Sequence, residues 1–219
     1  MFIGHYAVAL VAKRVALEVS LGTLILAAQF LDGLWPVFLL LGWERVEIAP
    51  GDTAFSPLDF VYYPYSHSLL LSVVWAVLFA FAYWLLRKNS RAALWVGLAV
   101  FSHWILDFIT HRPDLPLYPG NSHFVGLGLW NSISGTLVVE GLMFAAAVAV
   151  YASCTRAKDK TGIYAFWSFI VLLLALYIAV TFGPPPPSVK AIAWVGLFGM
   201  VLSVAWGYWI DRHRESIRL

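Results

Sequence analysis

Six stretches of the chain, each about 20 residues long and nearly free of charge, restrict its fold more than any other feature: 20–42, 67–86, 92–110, 132–152, 162–182 and 191–210. Hydrocarbon offers backbone N–H and C=O groups no partner, so a segment entering it must bond to itself as an α-helix or close into a barrel with its neighbours. At about 1.5 Å per helical residue each stretch reaches across an apolar layer about 30 Å thick. None alternates with period two, and all exceed the roughly 9–11 residues of a barrel strand. The pattern predicts an all-α, polytopic helical membrane protein with six transmembrane helices. Residues 2–12 are apolar but too short to cross, which predicts a short half-penetrating or re-entrant helix before the first span.

Composition agrees: 61% of the 219 residues are hydrophobic and only 12% charged, against about 25% charged in soluble domains. The formal net charge is +2, too small for a nucleic-acid surface, so no nucleic acid is expected as a partner. The single cysteine, Cys154, has no internal bridging partner and reads as a small apolar filler. No basic residue precedes the first apolar segment, and Lys13-Arg14 follow it, the reverse of a secretory signal. No internal repeat or second domain is visible. The expectation is one integral membrane domain over 1–219.

The basic residues set the orientation, because cytoplasmic loops carry an excess of Lys and Arg. Alternating the loops puts Lys13, Arg14, Arg87, Lys88, Arg91, Arg156, Lys158, Lys160, Arg212, Arg214 and Arg218 on one side, eleven of fourteen, and leaves Arg45, Arg112 and Lys190 on the other. The C-terminus is then cytoplasmic, and the acidic loop 43–66 with Glu44, Glu47, Asp52 and Asp59 is external. Trp43, Tyr83, Trp84, Trp95, Trp130, Tyr208 and Trp209 fall near proposed span ends as interfacial anchors. The proline run 184–187 is a stiff external turn between the last two spans.

A charged group at the bilayer centre costs about 2.5–3.5 kcal/mol even on lenient insertion scales, so each one needs a partner or a function. Asp32 lies mid-span in the first helix, His103 and Asp107 in the third and Glu140 in the fourth; His67 opens the second and His5 sits in the N-terminal segment. Spans five and six carry none, so residues 1–152 read as the half that holds a site and 162–210 as scaffold. His103 and Asp107, four apart, share one helix face, and His111 would extend that stripe by a turn. Such a pair serves equally as a neutral His bonded to an Asp or as two ligands of one metal. Asp32, His103 and Glu140 come to one depth, about 17–18 Å from the basic end, with Asp107 about 6 Å further out and His5 about 12 Å from that end. His67 fits worst, near the external surface, unless tilt or an entry of residues 62–66 below that surface brings it in. No Lys or Arg lies in these spans to neutralise the acids. A divalent cation would, and nitrogen and carboxylate ligands without thiolate suit zinc first, with manganese or iron as alternatives. Ser66 and Ser68, flanking His67, read as local hydrogen-bonding groups behind it.

With His5, Asp32, Ser66-His67-Ser68 and His103-x-x-x-Asp107 in that order, the chain resembles the YdjM-like family of bacterial inner-membrane, metal-dependent hydrolases over roughly its first 120 residues. That pattern has an early His, an Asp motif in the first long span, a His-Ser pair, and HxxxD followed by a loop with Pro and Gly, here 113–120. A more distant likeness is to the zinc-dependent phospholipase C and nuclease group, which also uses His, Asp, His, HxxxD and a later Glu. Two positions depart from the family pattern: Asp32-Gly33-Leu34 stands where Asp-x-Asp is expected, and Tyr63 where a His often precedes the His-Ser pair by four. Both remove a ligand, so a second metal would need His111 or Glu140 instead.

Two functions fit these residues. The first is a metal-dependent hydrolase of the bacterial cytoplasmic (inner) membrane, with lipids as neighbours and a lipid or lipid-linked phosphoester as substrate, acting from the outer half of the bilayer. Asp32, His67, His103 and Asp107 would be its core ligands, His5 a further one, and Glu140 a ligand or general base. The second is a metal-ion or proton-coupled transporter using the same residues. The loop 121–131, with His123 and Gly126-Leu127-Gly128-Leu129-Trp130, reads either as a mobile cover over the outer mouth or as an interfacial re-entrant turn.

Overall fold

The computed structural model describes residues 1–120 and 123–217; Asn121 of the expected cover loop and Arg218 of the basic set lie outside them. The chain runs through α1 (Ile3–Val15), α2 (Leu21–Ala28), α3 (Phe30–Leu41), the strands β1 (Arg45–Ile48) and β2 (Leu58–Tyr62), and a one-turn helix α4 (Pro64–His67). Then come α5 (Leu69–Arg87), α6 (Ser90–Thr110), β3 (Leu115–Pro116), β4 (Phe124–Val125), α7 (Ile133–Cys154), β5 (Thr155–Ala157), α8 (Lys160–Phe182), α9 (Val189–His213) and β6 (Arg214–Ser216). Among the described residues, five helices are long and apolar enough to cross a membrane, and the bent pair α2 and α3 brings the total to as many as six. This is an all-α, multi-pass membrane protein.

Each long helix begins where a polar side chain accepts a hydrogen bond from the N–H three residues on: Ser68 for α5, Asn89 for α6, Ser132 for α7, Asp159 for α8 and Ser188 for α9. The last four expected spans therefore stand within a few residues of their sequence boundaries. Two elements differ. The first expected span, 20–42, is broken at Gln29 and bends by 54°. The second does not begin at His67. His67 ends α4, Ser68 is extended, and α5 starts at Leu69.

Helix α1 is the centre of the bundle, with Ile3, Gly4, His5, Tyr6, Ala7, Ala9 and Leu10 all buried. It packs against α7, α2 and α6, while α5 pairs with α6, and α9 lies along both α2 and α3. Helix α5 buries only Ser72 and Ala76 and turns Val73, Val77, Leu78 and Phe81 outward, as a lipid-facing helix should. At the basic end, β5 pairs with β6 and Ser216 Oγ donates to Leu17 O at 3.0 Å. These contacts gather the ends of α1, α7 and α9 and the starts of α6 and α8, and with them Lys13, Arg14, Arg91, Arg156, Lys158, Lys160, Arg212 and Arg214. The opposite end carries the β1–β2 hairpin and the 111–131 loop.

That loop is tied down along its described part. Leu127 N donates to Phe108 O and Gly128 N to His111 O, both at 2.7 Å, and the Trp130 ring lies 4.4 Å from that of His111. A Cβ on Gly126 would stand 2.2 Å from Arg112 O, so only glycine permits this approach.

The α2–α9 contact is as tight. A Cβ at Gly207 would meet Gly22 Cα and N at 2.8 Å, backbone that cannot turn aside. Gly207→Leu should cost at least about 1–3 kcal/mol and lower the melting temperature of the detergent-purified protein. Unchanged melting would mean that α2 and α9 do not pack here.

Candidate metal centre

The break in the first span has a chemical use. In a continuous helix Ala28 O would accept from residue 32; at the bend it is released, and His103 Nδ1 lies 2.8 Å from it. A carbonyl only accepts, so Nδ1 carries a proton, and in the neutral imidazole the lone pair of Nε2 points the other way. There it meets Asp107 Oδ2 at 3.2 Å and Asp32 Oδ1 at 3.4 Å, and it has no hydrogen-bond partner of its own.

His67 is fixed by the same logic through a residue that sequence reading left among the loop charges. Glu44, just past the end of α3, is only 4% exposed. Its Oε1 accepts from Ser66 N at 2.8 Å and its Oε2 from Ser66 Oγ at 2.7 Å. Burial pushes the Glu44 carboxyl above its ordinary range, while the two Ser66 bonds pull against it. With its one proton given to Glu44, Ser66 Oγ can only accept at His67 Nδ1, 2.7 Å away. His67 Nε2 is therefore the lone-pair nitrogen, 3.6 Å from both Asp32 Oδ1 and Asp107 Oδ2. The dip of α4 brings it in, with Tyr63, Ser66 and His67 all buried. Tyr62 and Tyr65 of the same segment stay exposed.

Two imidazole lone pairs thus face two carboxylate oxygens across gaps of 3.2–3.6 Å. Lone pairs repel unless a proton or a cation lies between them. Ligands around one zinc at about 2.0–2.1 Å would stand about 3.3–3.4 Å apart in a tetrahedron; the four His–Asp gaps are near that value, and Asp32, His67 and His103 gather closely enough to hold one ion, with Asp107 at the side of that group. The donor set, two imidazoles and two carboxylates without thiolate, fits a borderline or hard divalent ion. His67 and His103 are at most 5% exposed and Asp107 3%, whereas the Asp32 side chain is 45% exposed, so the cluster is open on the Asp32 side alone.

The other expected residues fall around this core. The His5 ring stacks on that of His103, centroids 3.6 Å apart, with Nε2 3.1 Å from Asp107 Oδ1, the oxygen turned away from the cage. His5, His103 and Asp107 form a second group with ligand atoms close enough for a cation. The Met1 amino nitrogen also reaches Asp107 Oδ1, at 2.6 Å; as backbone chemistry it carried no side-chain signal. Glu140 accepts from Gly4 N at 3.2 Å through Oε2, and its Oε1 is buried without a partner. His111 is placed elsewhere: it caps α6, with Nδ1 3.0 Å from Asp114 Oδ1 and 3.3 Å from Tyr63 Oη. Tyr63 is held in its neutral form by burial and by Asp114, to which it donates at 2.8 Å.

Ser66→Ala or Glu44→Ala should weaken binding of a divalent metal by about 10–100-fold, the usual cost of losing a residue that orients a ligating His. Chelator competition measures this, and ¹⁵N chemical shifts of His67 should show loss of the Nδ1–H tautomer. Ser66→Thr should restore both. Unaltered affinity and tautomer would remove Glu44 from the site.

No curated protein and no solved structure matches the chain. A family model described as YdjM inner membrane protein matches residues 63–183, a stretch that starts at Tyr63, holds His67, His103, Asp107, His111 and Glu140, and runs on through α8, beyond the first 120 residues in which the motifs were read. With more than half of its length inside that match, the chain belongs to the YdjM inner membrane protein family.

Proposed function

We propose that this protein is a membrane-embedded, metal-dependent hydrolase acting on a lipid or lipid-linked phosphoester. The observation that carries the reading is the group of Asp32, His67 and His103, close enough to hold one ion and with Asp107 Oδ2 3.2–3.6 Å from both histidines, each histidine being oriented from behind by Ala28 O or by Glu44–Ser66. Zinc is the first choice of ion, with manganese or iron as alternatives. Such an ion, when bound, would supply Lewis acidity toward a phosphoryl oxygen and lower the pKa of water.

The chain's own groups divide the remaining work. Asp32 stands at the exposed side, where a substrate oxygen would approach. Glu140 keeps Oε1 free as a proton acceptor while Oε2 holds the first turn of α1. His5 braces Asp107 from behind the cage. Residues 1–152 would hold the site and 162–210 support it within one integral domain. The gathering of basic residues at one end supports a cytoplasmic C-terminus, with the cage in the outer half of the inner membrane, where lipid-linked phosphoesters can reach it laterally.

Purified protein should carry about one transition metal per chain, and the double variant His103→Ala, Asp107→Ala should lose both the metal and hydrolysis of a lipid phosphoester in proteoliposomes. Full metal retention in that variant would overturn the site. Metal flux into sealed liposomes without hydrolysis would replace the enzyme by the transporter reading.

A further inference from the structure

A second site lies at the basic end, apart from the metal cage. A cavity of about 700 Å³ opens there between the end of α1, the start of α6 and the segment after β6, with Arg14, Glu18, Arg91 and Ser216 on its wall. A groove of about 400 Å³ lies along α1 beside it, and Val15 lines both. Every side chain on the groove is apolar, including Val8 and Val11 of α1, Trp95 and Leu98 of α6, and Met143 of α7. From Val15 to Ala7 it extends about 12 Å at 1.5 Å per residue. Val11 is 43% and Leu98 45% exposed, so the groove faces the surrounding medium, which for these spans is lipid.

The charge at its mouth is uncommitted. At this end Arg156 pairs with Glu215, Arg214 donates to Thr155, and Lys13 is bound by Val19 O and Asp211. Among the described residues, Arg14 and Arg91 make no hydrogen bond or ion pair, while the one carboxylate of the cavity, Glu18, takes Asn89 Nδ2 at 3.3 Å. Two guanidinia without a hydrogen bond or ion pair therefore share the cavity wall with one carboxylate, leaving an excess of one positive charge.

We infer that this joined cavity and groove is a binding site for an anionic phospholipid of the membrane leaflet at the basic end, its phosphate between Arg14 and Arg91 and one acyl chain along Val8, Val11 and Val15. A soluble phosphate would leave the groove empty. A zwitterionic lipid would leave the second guanidinium uncompensated. The groove ends within about one helical turn of the metal cage or the residues around it: Ala7 is two residues after His5, Ala99 four before His103, and Met143 three after Glu140. The acyl chain thus completes the packing of α1, whose Val8–Val11–Val15 stripe the protein leaves uncovered, behind the histidines that α1 and α6 present.

Native mass spectrometry of the delipidated, detergent-purified protein with added phosphatidylglycerol or phosphatidylcholine tests this. The natural sequence should retain phosphatidylglycerol at least about tenfold better, as two guanidinia near an anionic headgroup require. Arg14→Gln with Arg91→Gln should abolish the preference, and Arg14→Lys with Arg91→Lys should keep most of it, which separates charge from misfolding. Val11→Trp, filling the groove, should weaken retention of both lipids. Equal retention of the two lipids by the natural sequence, an unaltered preference in the Gln variant, or displacement of the lipid by millimolar inorganic phosphate would overturn the assignment.

Discussion

Asp107 is 2% exposed inside an apolar bundle, where an unpaired carboxylate would be among the costliest groups a chain can carry. The chain meets that cost at Oδ1, with Met1 N at 2.6 Å and His5 Nε2 at 3.1 Å, while Oδ2 faces the Nε2 atoms of His103 and His67, where a proton or a cation is needed in between. These groups come from three places, α4, α6 and the start and first turn of α1. One buried carboxylate therefore ties the start of α1, α4 and α6 to a single point. The arrangement holds together as a polar network that has to be satisfied as a whole.

The network uses backbone irregularity as a resource. A straight first span would tie up Ala28 O internally and leave His103 Nδ1 without an acceptor. A straight second span starting at His67 would leave that side chain at the surface. In both places the regular helix is interrupted, and the freed or bent segment orients an imidazole. Irregular backbone at membrane depth is tolerated where protein surrounds it, and here the interruption is what aims the donor atoms.

The residues also separate by how they could be recognised. His103 and Asp107 were legible because i and i+4 share a helix face whatever surrounds them, and Asp32 and Glu140 because an acid in an apolar run stands out. Glu44 was not legible: it sits among Glu47, Asp52 and Asp59 in a loop whose composition reads as solvated, and only the fold of α4 onto the end of α3 puts Ser66 against it. His111 looked like a continuation of the His103 stripe, yet α6 ends at Thr110, and beyond a helix end the periodicity that placed it no longer applies. The β1–β2 and β5–β6 pairings gave no alternating signal either, since strands of three to five residues are too short to show one.

By itself the amino-acid sequence determined that this chain is a helical bundle in a membrane, where its last four long helices start and stop, which of its ends is basic, and which ionisable residues need an explanation. Those properties follow from local physics: hydrocarbon selects helices, polar caps start them, and charge marks the ends. Tertiary structure alone decided that α1 lies at the centre rather than at the edge, that the first span bends at Gln29, that Glu44 and Ser66 set the proton on His67, and that Arg14 and Arg91 share one cavity. Each of those depends on contacts between residues far apart in the chain, and no local pattern encodes which distant atom a freed carbonyl, a turned hydroxyl or an unpaired guanidinium will meet.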